Sequence, residues 1–358
     1  MSENVSRPPA PFSLRYSPSI PELLMQLRCT LLISTYQAGK VVFIGPKNTE
    51  NLIQLPRTFS KPMGIALHGD KMAIATKEEV IVLRDSPQLA SHYPKSPGTY
   101  DAFYMPRMTY YTGAVDVHDI DFGHDGLYAV NTSFSCIIKI DGEYSFTPVW
   151  KPPFISKLAS EDRCHLNGMA LVDGKPRYVT AFGTGDTPQS WRPTVTESGI
   201  LMDVESNEII ASGLKMPHSP RIINGKMYML FSATGELVQV DLATGKYEVV
   251  HQLKGFVRGL AYYGDYAFIG LNRLRKNSST FAHLPVTEMS DYAGIAIVHL
   301  PSGAFVGEIR YLSSVDEIYD VQVLPNSVRP GILNTIRPEH KLGLHLPDAT
   351  YWAQPPQE

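Results

Sequence analysis

The sequence of 358 residues contains only three cysteines, Cys29, Cys136 and Cys164, which lie far apart and form no CxxC pair. This spacing indicates neither a disulfide framework nor a thiolate zinc site, and it favours a reducing compartment. The sequence also lacks any run of about 18 apolar residues, and its first residues lack the apolar core of a signal peptide. We therefore expect a cytoplasmic protein without a membrane partner.

Positive charge is not in excess either, because the formal net charge is -3 at pH 7. Proteins that bind nucleic acid carry a broad cationic surface that neutralises phosphates. The charge balance therefore argues against nucleic acid as a partner. With 43% hydrophobic and 19% charged residues, the composition instead indicates a globular chain with a large core.

The sequence does contain a repeated unit, in which two short apolar strands flank a turn rich in glycine and aspartate. Five copies begin at Pro62, His118, Leu166, His218 and Val257. Turns such as HDG, NGK and YGD between β-branched and aromatic residues are typical of β-hairpins. Further strand-like runs follow most copies, and the copies begin roughly 40 to 60 residues apart, which is the spacing of propeller blades.

A sixth copy of the unit begins with EIYDVQVLP at Glu317, but no second hairpin strand follows it. The N-terminal runs TLLISTY (30–36) and KVVFIGP (40–46) have no inner strand of their own, so we expect them to complete this last blade. A short amphipathic helix is predicted over 21–28. The sequence thus predicts an all-β fold, a six-bladed β-propeller whose last blade is closed by N-terminal strands. Its predicted parts are an extended N-terminal segment (1–20), a single propeller domain (21–335) and an irregular C-terminal segment (336–358).

The segment from Asp85 to Gly113 is a long aromatic insertion without strand-like alternation. It could form a lid over one face of the propeller, or it could pack onto the surface of a blade. The loop TAFGTGDTPQSWRP (180–193) could cover one mouth of the channel. Its GTGD sequence lacks the lysine and the following helix of a phosphate-binding loop.

Six runs of the sequence resemble those of an uncharacterised bacterial family of six-bladed propellers. They are STYQAGKVVFIG, DVHDIDFGHDGLYAVNTSFSCI, DRCHLNGMAL, TAFGTGD, MPHSPR and RGLAYYGDYAFIGL. The resemblance covers most of the chain. It implies the propeller fold and the cytoplasmic compartment, and no catalytic residue is carried over from it.

Candidate functional residues lie at the starts of the predicted innermost strands, because these starts converge on one end of a propeller channel. Three of the six starts carry a histidine: His118, His165 and His218. Together with Glu317 or Asp119, they have the ligand types of a divalent metal site. The alternatives are metal-free acid–base catalysis by the same imidazoles, or a structural network in which polar channel residues bond one another and trapped water.

Arg258, at the fifth start, is a candidate anion anchor because a guanidinium offers a bidentate fork to a carboxylate or phosphate. The alternative is an ion pair with Glu317 or Asp320. Cys164, beside His165, is expected to be a buried thiol rather than a nucleophile. The predicted catalytic residues are His118, His165, His218, Arg258 and Glu317, and the three histidines are also the predicted metal ligands. The predicted substrate-binding residues are Asp119, Asn167, Arg221, Trp191 and Arg273, with a weaker claim for Arg275.

Two classes of function follow from these residues. The first is an enzyme of lyase, hydrolase or isomerase type that acts on a small polar molecule or peptide at a histidine-rich channel, with or without a divalent metal ion. The second is a non-catalytic propeller that binds a peptide, glycan or protein partner through its loops. In that case the partner would bind to the aromatic insertion from Tyr93 to Tyr111 and to the loop that carries Trp191.

Overall fold

The computed structural model describes residues 8–274 and 283–354, and in this part of the chain six β-sheets of four or five strands are formed. The innermost strand of each sheet contacts the innermost strands of its two neighbours, and these contacts form a closed ring. Each sheet is therefore one blade of a six-bladed propeller, as the sequence predicts. Arg275, residues 1–7 and residues 355–358 lie outside the described residues.

The blades are numbered by the chain order of their innermost strands, and the strands are given from the channel outwards. Blade 1 contains Ile65–His68, Lys71–Ala75, Glu79–Asp85, Ala102–Tyr111 and Pro330–Ile332. Blade 2 contains Val117–Gly123, Gly126–Asn131, Cys136–Ile140 and Thr147–Trp150. Blade 3 contains Leu166–Val172, Lys175–Ala181, Gly199–Asp203 and Ile209–Leu214.

Blade 4 contains Pro217–Ile223, Lys226–Phe231, Glu236–Val240 and Tyr247–Gln252. Blade 5 contains Phe256–Tyr263, Tyr266–Asn272, Gly294–His299, Ala304–Tyr311 and Leu14–Tyr16. Blade 6 contains Asp320–Pro325, Cys29–Thr35, Lys40–Pro46 and Leu52–Thr58. Neighbouring strands within a blade are antiparallel, except that Pro330–Ile332 runs parallel to Ala102–Tyr111.

Blade 6 joins the two ends of the chain. Its innermost strand, Asp320–Pro325, pairs with Cys29–Thr35 in a register that places Asp320 opposite Ser34. The prediction that the N-terminal strands complete the last blade is therefore confirmed. This closure leaves no open sheet edge around the channel.

Hydroxyl groups connect successive blades near one end of the channel. Ser34 of blade 6 donates a hydrogen bond to the carbonyl oxygen of Met63, which precedes blade 1. Thr132, which directly follows the second strand of blade 2, donates to the carbonyl oxygen of Leu166 in blade 3. These bonds fix the starts of the innermost strands, which carry the candidate site residues.

The helix Ile20–Leu27 packs its apolar face against the core beside blades 5 and 6, as its amphipathic sequence predicts. Three 3₁₀ turns, Arg192–Thr194, Thr287–Met289 and Pro338–Lys341, lie in loops of the described residues. No helix within residues 8–274 and 283–354 has the length and apolarity required to cross a membrane.

The aromatic insertion packs onto the outer edge of blade 1, so the lid interpretation is wrong. It forms the short helix Pro87–Ser91 and the regular strand Ala102–Tyr111. The Tyr93 ring lies 4.8 Å from the ring of Phe103 and 5.2 Å from the ring of Trp352, measured between centroids. The C-terminal segment is also more regular than expected, because Gly343–His345 and Thr350–Trp352 form a hairpin against this cluster.

Candidate functional site

The starts of five of the six innermost strands, all but that of blade 1, line a cavity of about 910 Å³ at one end of the channel. This volume lies within the range of roughly 300 to 1,000 Å³ that is usual for small-molecule sites. Seven of the predicted site residues line it: His118, His165, His218, Arg258, Glu317, Trp191 and Arg273. The structure therefore brings together all five predicted catalytic residues.

Asp119, Asn167 and Arg221 do not line this cavity, although they were predicted to bind substrate. They lie further along their strands, where they bond to other groups of the protein. Asp119 Oδ2 accepts a hydrogen bond from the backbone N–H of Met169, and Asn167 Oδ1 accepts one from the hydroxyl group of Thr180. Their placement gives them a structural role between strands and blades.

His165 forms a hydrogen-bonded pair with Asp162, three residues before it. The Nδ1 atom lies 3.0 Å from Asp162 Oδ2, and both side chains line the cavity. The indole N–H of Trp191 donates to the same carboxylate oxygen at 3.1 Å, and the Trp191 ring lies 4.4 Å from the His165 ring. Because the carboxylate accepts the proton on Nδ1, the lone pair of the neutral imidazole is on Nε2.

The backbone holds this pair in an uncommon conformation. Asp162 and His165 have φ angles of 47° and 51°, in the left-handed region that residues other than glycine rarely adopt. A residue other than glycine in this region has a strained backbone. Backbone strain persists only where the surrounding structure imposes it, and it is concentrated at functional sites.

A network of charged and small residues fixes the loop around the pair. Arg163, which is 5% exposed, bonds Glu161 at 2.7 Å and Asp186 at 2.6 Å. A Cβ atom added to Gly185 would lie 2.1 Å from Ser190 Oγ and would displace this hydroxyl, which donates a hydrogen bond to the carbonyl oxygen of Arg163. The loop therefore holds Trp191 against His165, where the indole is only 4% exposed.

The His218 ring is fixed by a chain of two hydrogen bonds. The Ser232 hydroxyl donates its only proton to the carbonyl oxygen of Val257, so its oxygen accepts a hydrogen bond from His218 Nδ1 at 2.7 Å. His118 Nδ1 lies 3.3 Å from the carbonyl oxygen of Asp116 and donates to it. Both rings thus keep the Nε2 lone pair, as His165 does.

The imidazoles of His118 and His218 are neutral at pH 7. Burial lowers the pKa of each well below its usual value, and the positive charge of Arg258 lowers it further. The neighbouring thiol of Cys164 is unreactive, since burial raises its pKa to about 12. This agrees with the buried thiol predicted from the sequence.

The three histidines converge on the cavity without forming a ligand set. The rings of His118 and His165 are 4.9 Å apart, whereas the Phe182 ring contacts both His165, at 4.5 Å, and His218, at 5.0 Å. In the described part of the chain, no group of three or more histidine, cysteine, aspartate or glutamate side chains is arranged to hold a metal ion. A divalent metal stays a prediction of the sequence.

Arg258 forms neither of the ion pairs considered from the sequence, with Glu317 or with Asp320. Its guanidinium carbon instead lies 3.4 Å from the centroid of the Tyr319 ring. Glu317 accepts a hydrogen bond from the backbone N–H of Gln37 at 3.1 Å, and burial raises the pKa of its carboxyl group. Arg273, by contrast, is paired with Asp316 at 3.0 Å.

Sequence reasoning did not single out Asp162, Ser232 or Tyr319 as site residues. Asp162 could have been found, because its position three residues before His165 in the run DRCH allows the two side chains to meet. Ser232 directly follows the second strand of its blade, so only the pairing of that strand with Pro217–Ile223 places it beside His218. Nothing in the local sequence indicates that Tyr319 lies under Arg258.

Comparisons with known proteins support the fold and leave the activity open. A family model described as a domain of unknown function (DUF4915) matches residues 18–333. No curated protein matches the sequence. A chain from the crystal structure of a nidogen–laminin complex is similar, with a TM-score of 0.51, 11% identity and coverage of 83% of this chain and 99% of that chain. A protein of unknown function from Bacteroides caccae is also similar, with a TM-score of 0.51, 10% identity and coverage of 83% and 98%, respectively. At these identities the likeness shows the propeller fold alone.

Proposed function

This chain belongs to the family described as a domain of unknown function (DUF4915), and we propose from its site that it is an acid–base enzyme of lyase, hydrolase or isomerase type. Its substrate is a small polar molecule held in the axial cavity. His165 acts as the general base. The observation that carries the proposal is the hydrogen bond between Asp162 and His165, which fixes the tautomer of the imidazole.

Each part of the pair has a defined task. His165 Nε2 takes a proton from the substrate, and Asp162 stabilises the imidazolium that forms while holding the ring in place. The indole N–H of Trp191 keeps the carboxylate turned towards Nδ1. The proton then returns from Nε2 to the product, so the residues end the cycle as they began.

The neutral rings of His118 and His218 offer further hydrogen-bond acceptors to polar groups of the substrate. The aromatic side chains of Phe182 and Phe256 also line the cavity, and both contact the His218 ring. An apolar wall excludes water and strengthens the polar contacts that the substrate makes. This mechanism uses no metal ion.

The scaffold alternative is weakened by the position of Trp191, because a buried indole is not available to a protein partner. The test is a panel of small hydroxy acids, oxo acids and lactones, incubated with the protein in D₂O and followed by proton NMR. We expect His165→Ala to lower the rate of substrate conversion or proton exchange by about 10²- to 10⁴-fold. His92→Ala, which removes an exposed histidine outside the cavity, is the control. Equal rates for His165→Ala and the unmodified protein would contradict the proposal.

A further inference from the structure

Arg258 and Tyr319 form a pair of hydrogen-bond donors that the protein itself leaves without an acceptor. Tyr319 is 6% exposed and lines the cavity, and within the described residues its hydroxyl proton has no acceptor, because the one side chain close to the hydroxyl, Arg258, is itself a donor. Burial keeps this hydroxyl protonated, since it raises its pKa well above the usual value although Arg258 counters part of the effect. Within residues 8–274 and 283–354, no carboxylate lies at salt-bridge distance from Arg258.

The same chain contains a second arginine that stacks on a tyrosine, and there the acceptor is present. The guanidinium carbon of Arg310 lies 4.0 Å from the centroid of the Tyr292 ring. Glu308 Oε1 accepts a hydrogen bond from Arg310 Nε at 2.6 Å, and Glu308 Oε2 accepts one from the Tyr292 hydroxyl at 2.5 Å. One carboxylate thus satisfies both donors, with one oxygen for each.

We propose that Arg258 and Tyr319 bind the carboxylate of an organic acid, which takes the place that Glu308 occupies beside Arg310 and Tyr292. One oxygen accepts from the guanidinium and the other from the phenol. Charge-assisted bonds of this kind are about twice as strong as neutral ones, and the planar fork of arginine matches a carboxylate.

The two carboxylates that face Arg258 do not fill this position. Glu317 is engaged by the backbone N–H of Gln37, and the Asp116 side chain lies closest to His118, at 3.6 Å from its Nδ1. Burial raises the pKa of the Glu317 carboxyl group, which weakens its competition for the cation at mildly acidic pH.

The rest of the cavity indicates what the acid looks like. The Tyr319 ring contacts the His118 ring at 5.5 Å, and the His118 ring contacts His165 at 4.9 Å. Beyond them lie Phe182 and Trp191, so the space next to the carboxylate is aromatic and large enough for a ring. That this acid is the substrate rests on the proposed function, whereas its binding can be measured separately.

Binding is tested by calorimetric titration with benzoate and with benzamide, its neutral isostere. We expect the unmodified protein to bind benzoate at least about tenfold more tightly than benzamide. Arg258→Gln should abolish this preference, and Tyr319→Phe, which removes only the hydroxyl group, should weaken benzoate binding by roughly tenfold. Arg310→Gln and Tyr292→Phe remove the same groups outside the cavity and should leave the preference unchanged. Circular dichroism and thermal melting establish that each variant is folded.

The proposal is overturned if the unmodified protein binds benzoate no better than benzamide, or binds neither with a Kd below roughly 10 mM. It is also overturned if folded Arg258→Gln keeps the preference for the anion. Benzoate binding is measured without any conversion, so this test is separate from that of the proposed function. Benzoate binding that depends on Arg258, without any conversion that depends on His165, would contradict the acid–base mechanism alone.

Discussion

Arg221 of blade 4 reaches past blade 3 to Asp119 of blade 2, with Nη1 at 2.9 Å from Oδ2 and Nη2 at 3.2 Å from Oδ1. On the way, Nη1 also contacts the carbonyl oxygen of Met169 in blade 3. The pair is thus a bidentate connection across three consecutive blades. It occupies the channel below the candidate site, and therefore supports the positions of the strands that carry His118, His165 and His218.

We expect Arg221→Ala to lower the free energy of unfolding by about 3 kcal/mol, because it leaves Asp119 buried without its counter-ion. Urea denaturation measures this loss. Arg84→Ala breaks the ion pair with Asp70, in which both side chains are about half exposed, and should cost at most about 1 kcal/mol. Equal losses for the two variants would show that the channel pair contributes no more than a surface ion pair.

The hydrogen bond between Ser232 and His218 gives a second prediction. Ser232→Ala leaves the His218 Nδ1–H and the Val257 carbonyl without partners in a buried position, so we expect a loss of about 2 kcal/mol. Ser302→Ala removes a hydroxyl 2.8 Å from Nδ1 of His299 at an exposed turn and should change stability by less than about 0.5 kcal/mol. Denaturant unfolding measures the loss of unfolding free energy in both variants. A similarly small loss in each would contradict the prediction.

The buried histidines also determine how stability depends on pH. The folded protein holds the pKa of His218 below that of the unfolded chain, about 6.5, so only the unfolded chain takes up a proton as the pH first falls below this value. The free energy of unfolding should therefore decrease by up to about 1.4 kcal/mol per pH unit from this residue. His218→Gln should show a smaller decrease between pH 6.5 and 5.

Asp320 changes the free energy of unfolding with pH in the opposite direction to His218. Comparing the unmodified protein with His218→Gln removes the contribution of Asp320. Burial raises the pKa of its carboxyl group to about 6, so the stability that it contributes at low pH is lost as the pH rises through 6. This contribution is common to both proteins and cancels in their difference. Parallel pH profiles for the two proteins would contradict the prediction for His218.

Sequence patterns could predict the ring of blades, its closure and the meeting of three histidines, because each follows from the position of a residue within its repeat. They could not predict which of two neighbours in the strand, His118 or Asp119, has its side chain in the cavity. The two side chains differ by one position, yet one reaches the cavity and the other an ion pair inside the channel. The stacking of Arg258 on Tyr319 depends on side-chain rotamers between two blades, and the sequence carries no local signal for it.

The arrangement of the histidines also predicts the effect of a chelator. The Phe182 ring contacts both His165 and His218, so we expect treatment with EDTA to leave the melting temperature within about 2 °C and benzoate binding unchanged. Elemental analysis of the purified protein provides an independent check. Stoichiometric metal that is lost in His118→Ala, His165→Ala and His218→Ala would instead establish the metal site considered from the sequence.

Because blade 6 is formed by strands from both ends of the chain, one wall of the cavity forms only when these distant segments pair. Tyr36 follows the strand Cys29–Thr35, Tyr319 precedes the strand Asp320–Pro325, and their rings stack at 6.0 Å in the wall of the cavity. During synthesis, the carboxylate site cannot assemble until the ribosome has released the segment that contains Tyr319. An organic acid bound between Arg258 and Tyr319 would then stabilise the contact between blades 5 and 6, next to the strand pair that closes the ring.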